Sequence, residues 1–496
     1  MCDLKAKDIV NIQQTEDTIC AIATAQGGAI GTIRVSGSQV IAITDRIFTP
    51  ISGKPLTERK PYTLTFGHIL SPAGEIIDEV LVSLFRAPHS YTGEDSVEIS
   101  CHGSSYILQQ VMQLLIKNGC RAAGPGEYTQ RAFLNGKMDL SQAEAVADLI
   151  ASTSAATHRM AMNQMRGGFS RELSALREKL LHLTSLMELE LDFSDHEELE
   201  FADRSELEEI AQQIEQVISH LVDTFSVGNA LKNGVPVAIV GETNAGKSTL
   251  LNALLNEERA IVSDIHGTTR DVIEDTMNLG GVTFRFIDTA GIRETTDTIE
   301  SLGIERSFQK LEQANIVLWV IDATCAEEQY HQLADKILPR CQGKHLVIVL
   351  NKTDLLPLTE KSLSCSVTDT TASMHKPIDD LKAILPDLPE DACVISLSAK
   401  QKEGLSLLQK QLVGFAALPD LSQNDVVVSN IRHYEALSRA LEAIHRVQDG
   451  LTMQLSGDLV SQDLRECLFH LAEIVGGEIT NDEVLGNIFK HFCIGK

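Results

Sequence analysis

The sequence is short of basic residues, and this shortage excludes one class of protein. It has 42 lysines and arginines against 69 aspartates and glutamates, which gives a net charge of −27. Proteins that coat nucleic acid without specificity are basic, because much of their affinity comes from neutralising phosphates. Such coating is therefore excluded, and any RNA must meet a local basic patch or be presented by a partner.

Long apolar runs and paired cysteines are also missing. No apolar run reaches the roughly 18 residues of a membrane-spanning helix, and the first residues lack the apolar segment of a secretory signal. The ten cysteines include no CxxC pair and no metal-ligand spacing, which favours reduced thiols. We therefore expect a cytoplasmic protein.

The 496 residues are too many for one hydrophobic core. Three sequence patterns, each typical of a different kind of domain, follow one another along the chain. Short β-rich runs with glycine turns predict an α/β domain over residues 1–133. Helical spacing without proline predicts the first half of a helical bundle over 134–232. Strands and helices alternate over 233–418, which is typical of a parallel sheet covered on both faces. Helical texture returns over 419–496, so we expect an α/β domain inserted between two paired halves of a helical domain.

The segment Gly241-Glu-Thr-Asn-Ala-Gly-Lys-Ser248 lies between a predicted strand and a predicted helix, as a phosphate-binding loop does. Its glycines let backbone N–H groups close around a phosphate at a helix N-terminus. Lys247 would reach the β- and γ-phosphates, and the Ser248 hydroxyl would hold Mg²⁺. Further along, Asp288-Thr-Ala-Gly291 would hold a metal-bound water and donate an N–H group to the γ-phosphate.

Two more segments, Asn351-Lys-Thr-Asp354 and Ser398-Ala-Lys400, predict that the base is guanine. The Asp354 carboxylate can accept hydrogen bonds from both the ring N–H and the amino group of guanine, and adenine cannot donate both. The backbone N–H of Ala399 would meet the guanine carbonyl. The four motifs, in this order, predict a Ras-like P-loop GTPase domain.

Many signalling GTPases orient the attacking water with a glutamine directly after the Asp-x-x-Gly motif, but this chain has Ile292 there. Another group must orient the water. The segment Gly267-Thr-Thr-Arg-Asp271 is the expected first switch, with Thr269 as the second Mg²⁺ ligand. The residues expected to bind GTP are Gly241, Asn244, Ala245, Gly246, Lys247, Ser248, Thr249, Ser263, Asp264, Ile265, His266, Gly267, Thr268, Thr269, Asp288, Thr289, Ala290, Gly291, Asn351, Lys352, Asp354, Ser398, Ala399 and Lys400.

Outside these motifs the chain resembles the MnmE (TrmE) family of tRNA modification GTPases. The resemblance is carried by residues 17–24, 91–95, 125–137 and 142–148, and by the terminal Phe492-Cys-Ile-Gly-Lys496. It covers nearly the whole chain, and the C-terminal Cys-x-Gly-Lys is highly specific. It implies an N-terminal domain over 1–133 that dimerises and binds tetrahydrofolate, and a helical domain that carries the inserted GTPase domain.

The resemblance also implies a potassium-activated GTPase that works with the flavin-binding protein MnmG in a heterotetramer. Together they would add an aminomethyl or carboxymethylaminomethyl group to carbon 5 of the wobble uridine of certain tRNAs. The one-carbon source would be 5-formyl- or 5,10-methylene-tetrahydrofolate, contacted by Arg34, Glu98, Lys137 and Lys496. By themselves Arg34 and Glu98 would be interpreted as structural or surface charges. Cys493 lies near the implied folate pocket as a reactive or an inert thiol, and nothing nearby in the sequence marks it as activated.

For hydrolysis, the resemblance implies a cation in place of the missing glutamine and of an arginine finger. Potassium would be held by Asn244, Ser263, Ile265 and Thr268, and two GTPase domains would meet across their switches. Glu300 would orient the water, although by itself it would be interpreted as a solvated helix residue. The expected catalytic residues are Glu300, Lys247, Thr268 and Arg270. The family's common residues differ at Thr243 and His266, and neither position supplies a side-chain ligand.

A GTP-switched ribosome-assembly factor is the alternative, because its nucleotide motifs could look the same. Such a factor should carry a basic RNA-binding module, whereas this chain has the folate-like N-terminal segments and the Cys-Ile-Gly-Lys tail. A membrane-remodelling GTPase is disfavoured, because the sequence has no lipid-binding basic or apolar segment.

Overall fold

The computed structural model describes residues 17–25, 27–192, 204–257, 275–287, 311–356, 392–416, 426–477, 488–489, 492 and 494–495. These residues form two compact units. The first unit takes its residues from 17–151, 161–222 and 431–495, and the second from 152–160 and 223–430.

The first unit begins with a seven-stranded sheet in the order β3-β4-β5-β6-β2-β1-β7. The strands are β1 (Thr18–Ile22), β2 (Ile30–Ser36), β3 (Phe48–Pro50), β4 (Thr63–Leu70), β5 (Ile76–Phe85), β6 (Ser96–His102) and β7 (Cys120–Ala122). Helices α1 (Val40–Ile47) and α2 (Ser105–Lys117) share a mainly aliphatic core with one face of the sheet. Burial alternates along β5, which is typical of a sheet with one covered and one open face.

Five helices follow the sheet: α3 (Glu127–Leu134), α4 (Leu140–Ala151), α5 (Ala155–Met165), α6 (Gly168–Asp192) and α7 (Arg204–Asp223). The predicted apolar spacing holds in α6, where Leu180, Leu183 and Met187 are buried. Such a stripe stabilises a long helix by packing rather than by local propensity.

The second unit is built on a six-stranded sheet in the order β13-β12-β11-β8-β10-β9. Its elements are α8 (Phe225–Asn233), β8 (Val235–Val240), α9 (Lys247–Glu257), β9 (Asp275–Leu279), β10 (Val282–Ile287), β11 (Ile316–Asp322), α10 (Ala326–Ile337), β12 (His345–Asn351), β13 (Cys393–Ser396) and α11 (Leu405–Phe415). Two aliphatic cores contain side chains from alternate positions of the central strands, as expected for a sheet covered on both faces.

One edge of this sheet differs from the prediction of a parallel sheet. Strand β9 pairs with β10 in the antiparallel direction, while the other strand pairs are parallel. Gly280 and Gly281, with φ of 58° and 83°, form the two-residue turn between them. A tight hairpin turn of this kind needs positive φ at its central residues, which glycine adopts without steric cost.

The chain then returns to the first unit with α12 (Ile431–Thr452) and α13 (Gly457–Val475). These helices pack against each other, and α13 also packs against α6 and α4. The helices before and after the second unit therefore share one compact body. The boundaries proposed from the sequence stay a prediction.

Candidate functional site

The predicted phosphate-binding loop joins β8 to α9, and two glycines in it have conformations that other residues rarely adopt. Gly241 and Gly246 have φ of 145° and 96°. A Cβ at Gly241 would collide with the carbonyl oxygen of Val320, and one at Gly246 would collide with Nδ2 of Asn351. The loop therefore needs glycine at both positions, and α9 begins directly after it at Lys247.

Lys247 lies against the loop that precedes it. Its Nζ donates hydrogen bonds to the carbonyl oxygens of Gly241 and Glu242, at 2.8 and 2.7 Å. Burial lowers the pKa of the Lys247 ammonium group. Asn244 in the same loop has a φ of 67°, which is uncommon for a residue other than glycine.

Asn351 connects the phosphate-binding loop with the second base-reading segment. Only 2% of the residue is exposed. Its Nδ2 donates to the carbonyl oxygen of Ala245 at 2.9 Å, and its Oδ1 accepts from the backbone N–H of Ala399 at 3.0 Å. One buried amide therefore sets the positions of two loops that are far apart in sequence.

Asp354, the predicted guanine acceptor, is held by Ser398. The Ser398 hydroxyl donates to Oδ1 of Asp354 at 2.7 Å and accepts from the backbone N–H of Gln401 at 3.2 Å. Ser398 and Ala399 are buried, whereas Lys400 is exposed. The structure thus brings the Asn-Lys-Thr-Asp and Ser-Ala-Lys segments together, and both meet the phosphate-binding loop through Asn351.

Asp322, the last residue of β11, belongs to none of the sequence motifs but contacts one of them. Its Oδ2 lies 2.7 Å from Nζ of Lys352. Burial acts to raise the pKa of Asp322, but the hydrogen bonds from Lys352 and Thr324 outweigh it and hold the pKa below its ordinary value. In the sequence, the sign of such a role is an acidic residue at the end of a buried strand. The neighbouring parallel strand, β12, ends in Asn351 of the base-reading motif.

The predicted folate residues Arg34 and Glu98 lie opposite each other on β2 and β6. Nε and Nη2 of Arg34 donate to Oε1 of Glu98, at 3.0 and 2.8 Å. The guanidinium carbon lies 5.4 Å from the ring centre of Tyr91 and 5.7 Å from that of Tyr128. These two aromatic neighbours lie in segments that carry the family resemblance, but the sequence did not single them out.

The C-terminal tail reaches the same pair. Nη1 of Arg34 donates to the carbonyl oxygen of Gly495 at 3.4 Å, and Ile494 forms an antiparallel bridge with Pro125. Lys137 donates instead to the carbonyl oxygen of Pro88 at 2.9 Å.

A buried arginine draws together three of the segments that resemble the MnmE family. Arg131 in α3 is 4% exposed. It pairs with Asp17 at 2.6 Å, with Glu94 at 3.2 Å and with Glu127 at 3.0 Å. Since Glu94 also accepts from the Ser36 hydroxyl at 2.8 Å, this network holds the 91–95 loop beside β2, next to Arg34.

Several predicted site residues lie outside the described residues, and their roles therefore stay predictions. They are Ser263, Asp264, Ile265, His266, Gly267, Thr268, Thr269, Arg270, Asp288, Thr289, Ala290, Gly291, Glu300, Cys493 and Lys496. Within the part of the chain that is described, no helix has both the length and the apolar character needed to cross a membrane.

The fold and the site define the class of this protein, a P-loop GTPase joined to a sheet domain and a helical domain. Residues 18–137 match the family described as "GTP-binding protein TrmE N-terminus", and residues 140–493 match "MnmE helical domain". The chain therefore belongs to the MnmE (TrmE) family of tRNA modification GTPases, and the predicted family, fold class and GTP hydrolase activity are confirmed.

Individual relatives agree over the full length. The tRNA modification GTPase MnmE of Bacteroides thetaiotaomicron is 68% identical, over 97% of this chain and 100% of the relative. That of Phocaeicola vulgatus is 65% identical, over 97% of this chain and 99% of the relative. Among solved structures, the FeoB G domain from Methanococcus jannaschii is 25% identical over 37% of this chain and 97% of that one, with a TM-score of 0.24.

Proposed function

We propose that this chain is a potassium-activated, magnesium-dependent GTPase of the cytoplasm that drives modification of tRNA at carbon 5 of the wobble uridine. It acts as a homodimer and, with an MnmG-like flavoprotein, in a heterotetramer that adds an aminomethyl or carboxymethylaminomethyl group. The observation that carries the proposal is the presence, in one chain of this family, of the joined base-reading and phosphate-binding loops and of an Arg34–Glu98 pair that contacts the C-terminal tail.

The nucleotide site fits a phosphate chain and its metal ions. The loop that contains Gly241 and Gly246 leads directly into the N-terminus of α9, where backbone N–H groups and the helix dipole favour an anion. Ser248, Thr269 and, through water, Asp288 would hold Mg²⁺. Asn244, Ser263, Ile265 and Thr268 would hold K⁺, which supplies positive charge for the transition state.

Catalysis by this chain's own residues follows from charge and position. Lys247 is already held beside the loop, from where its ammonium group can contact the β- and γ-phosphates. Glu300 would orient the attacking water, because Ile292 cannot. The Glu300→Ala variant is expected to lower kcat with little change in nucleotide affinity, since the acid acts mainly in the transition state.

The Arg34–Glu98 pair fits a folate. Both hydrogen bonds from Arg34 go to Oε1 of Glu98, and no described residue donates to Oε2. A carboxylate oxygen of this kind can accept from the amino-pyrimidine edge of a pterin, as Asp354 can from guanine. Lys137 and Lys496 would contact the rest of the molecule, and bound tetrahydrofolate would supply a one-carbon unit.

The charge of the chain supports a partner that presents the tRNA. A net charge of −27 repels a polyanion on average. A flavoprotein that offers the tRNA-binding surface removes this difficulty.

The test is a nucleoside analysis of tRNA from cells that lack this protein. Loss of the carbon-5 aminomethyl-type groups is expected, with recovery when the wild-type gene is returned. As a matched control, a gene carrying Lys247→Ala is expected not to restore the groups, because hydrolysis is disabled. An unchanged nucleoside profile would overturn the proposal and favour the ribosome-assembly alternative.

Potassium activation has a separate test on the purified protein. We expect the rate of GTP hydrolysis in KCl to exceed that in NaCl at the same ionic strength, and Asn244→Ala to reduce the difference. Equal rates in the two salts would contradict the potassium site and leave the tRNA role untouched.

A further inference from the structure

Asp322 stands beside the base-reading segment and has no role in the motifs described above. It ends β11, where it lies in register with Asn351 on the neighbouring parallel strand β12. Only 8% of the residue is exposed. Its backbone N–H donates to Oε1 of Gln329 in α10 at 2.9 Å, which anchors the strand end to the next helix.

The two carboxylate oxygens of Asp322 accept different partners. Oδ1 accepts from the backbone N–H of Thr324 at 3.0 Å and from its hydroxyl at 2.7 Å. Oδ2 is thereby left for the ammonium group of Lys352, at 2.7 Å. All the groups that face Asp322 here are donors, so an amide in its place would set an NH₂ group against a donor.

Lys352 needs such support because of its backbone. Its φ of 65° puts it in the left-handed region, which is sterically costly for a residue with a Cβ. It also separates Asn351, which faces Ala245 and Ala399, from Asp354, which faces Ser398. A relaxed conformation at Lys352 would therefore change the spacing of the two side chains on which guanine binding depends.

We infer that Asp322 is a positioning residue for guanine recognition, which acts through Lys352 to hold the Asn351–Asp354 segment in its binding conformation. The inference rests on the proposed guanine site. It adds a group that touches neither the base nor the phosphates. The pair is half-buried, with side-chain exposures of 12% for Asp322 and 31% for Lys352, so salt screens it less than a surface pair.

The primary variant is Asp322→Asn, studied in the full chain. We expect Kd for GDP and for GTP to rise about tenfold, as for the loss of one charged hydrogen bond. The rise should come from faster nucleotide dissociation. At saturating GTP, kcat should stay within about twofold, because Asp322 stabilises the bound base and not the transition state.

Glu327→Gln is the matched control. It removes the same charge from an exposed position in the first turn of α10. Its Kd is expected to equal that of the wild type. If Asp322→Asn binds nucleotide as tightly as this control, the inference is overturned.

A double-mutant cycle with Lys352→Gln separates positioning from general stability. If Asp322 acts through Lys352, Lys352→Gln alone raises Kd by a similar factor, and adding Asp322→Asn raises it little further. If the two substitutions instead raise Kd by factors that multiply in the double variant, Asp322 does not act through Lys352 and the inference is overturned. A matching fall in the Tm of the nucleotide-free protein would then show that Asp322 contributes to general stability.

The proposed guanine site is tested in the same series. Wild type and Glu327→Gln must both prefer GTP to ATP. If they do not, the guanine site itself is wrong. If they do and the cycle shows no coupling, only the role of Asp322 is refuted.

Discussion

At the scale of single residues, the nucleotide site depends on atoms that a conservative substitution would displace. Asp354 accepts from the Ser398 hydroxyl through Oδ1, and Asn351 uses its amide in both directions. Asn351 is buried, so an unpaired polar atom there is costly, whereas Asp354 is half-buried and its carboxylate sets which base is accepted.

Asp354→Asn is expected to shift the preference of the site from guanine toward xanthine nucleotides. The new NH₂ group can donate to the second carbonyl of xanthine but cannot accept from the amino group of guanine. GTP affinity should fall at least about 100-fold. Competition binding with GTP and XTP measures the shift. Ser398→Ala, which keeps the carboxylate, should weaken binding without changing the preference, and unaltered GTP selectivity in Asp354→Asn would refute the base assignment.

Gly246→Ala is expected to raise Kd for GDP at least about tenfold, because strained backbone costs of order 1–3 kcal/mol. Its φ of 96° disfavours a side chain, and the added Cβ meets Asn351, which its two hydrogen bonds hold in place. Gly414→Ala is the control, since a Cβ there meets nothing within 4 Å and lies in helix α11. Nucleotide titration measures Kd for GDP in both variants. If Gly246→Ala binds GDP as tightly as Gly414→Ala, the described loop geometry is contradicted.

At the scale of elements, a buried charge cluster ties the helices on either side of the GTPase unit. Glu144 of α4 lies 2.9 Å from Nε of Arg432 and 2.7 Å from Nε2 of His433, both at the start of α12. Arg432 also donates to the last carbonyl oxygens of α13, those of Glu473 and Ile474. The cluster therefore sets three helices against one another.

Glu144→Gln is expected to lower the free energy of unfolding by about 3–5 kcal/mol, because it removes the buried carboxylate that pairs with Arg432 and contacts His433. Urea unfolding at pH 7, monitored by circular dichroism, measures the change. Glu178→Gln, on the exposed surface of α6, is the control and should change little. A loss as small as that of the control would show that the cluster contributes no net stability.

The same cluster predicts a dependence on pH. Burial acts to raise the pKa of Glu144, but the charges and hydrogen bonds of His433 and Arg432 outweigh it and hold the pKa at about 2. Because the folded-state pKa is below the unfolded one, this stabilisation is present above the ordinary glutamate range and is lost as pH falls toward 2. Unfolding free energies between pH 6 and pH 3 should fall more steeply in the wild type than in Glu144→Gln.

At the scale of the whole molecule, the C-terminal tail meets the N-terminal sheet in one unit. Gly495 has a φ of 95°, and a Cβ there would lie 2.7 Å from the carbonyl oxygen of Ile22 in β1. Phe492 packs on Phe489, with ring centres 5.1 Å apart. The tail thereby contacts Arg34, from which Gly495 is 461 residues away along the chain.

Deletion of residues 493–496 is expected to weaken folate binding and tRNA modification while GTP hydrolysis continues. Gly495→Ala, which keeps Cys493 and Lys496, should have the same effect in weaker form, because the tail cannot approach β1 as closely. Calorimetric titration with 5-formyl-tetrahydrofolate and a GTPase assay on the same samples separate the two activities. Loss of hydrolysis in the deletion would point instead to misfolding.

The sequence by itself determined the fold class and the family, because short continuous segments mark both. A phosphate-binding loop needs its glycines at fixed spacing, and a buried strand or an amphipathic helix shows its period locally. The antiparallel β9–β10 pair at the sheet edge was not predicted, although its two turn glycines are adjacent.

Only the tertiary structure decided which distant groups meet. The pairs Asp322–Lys352, Arg432–Glu144 and Arg34–Gly495 join residues 30, 288 and 461 positions apart. No local sequence pattern marks such partners, because the same residue type can be buried or exposed to solvent. The packing of whole elements brings these groups together, and the cost of burying a charge without a partner favours each pairing.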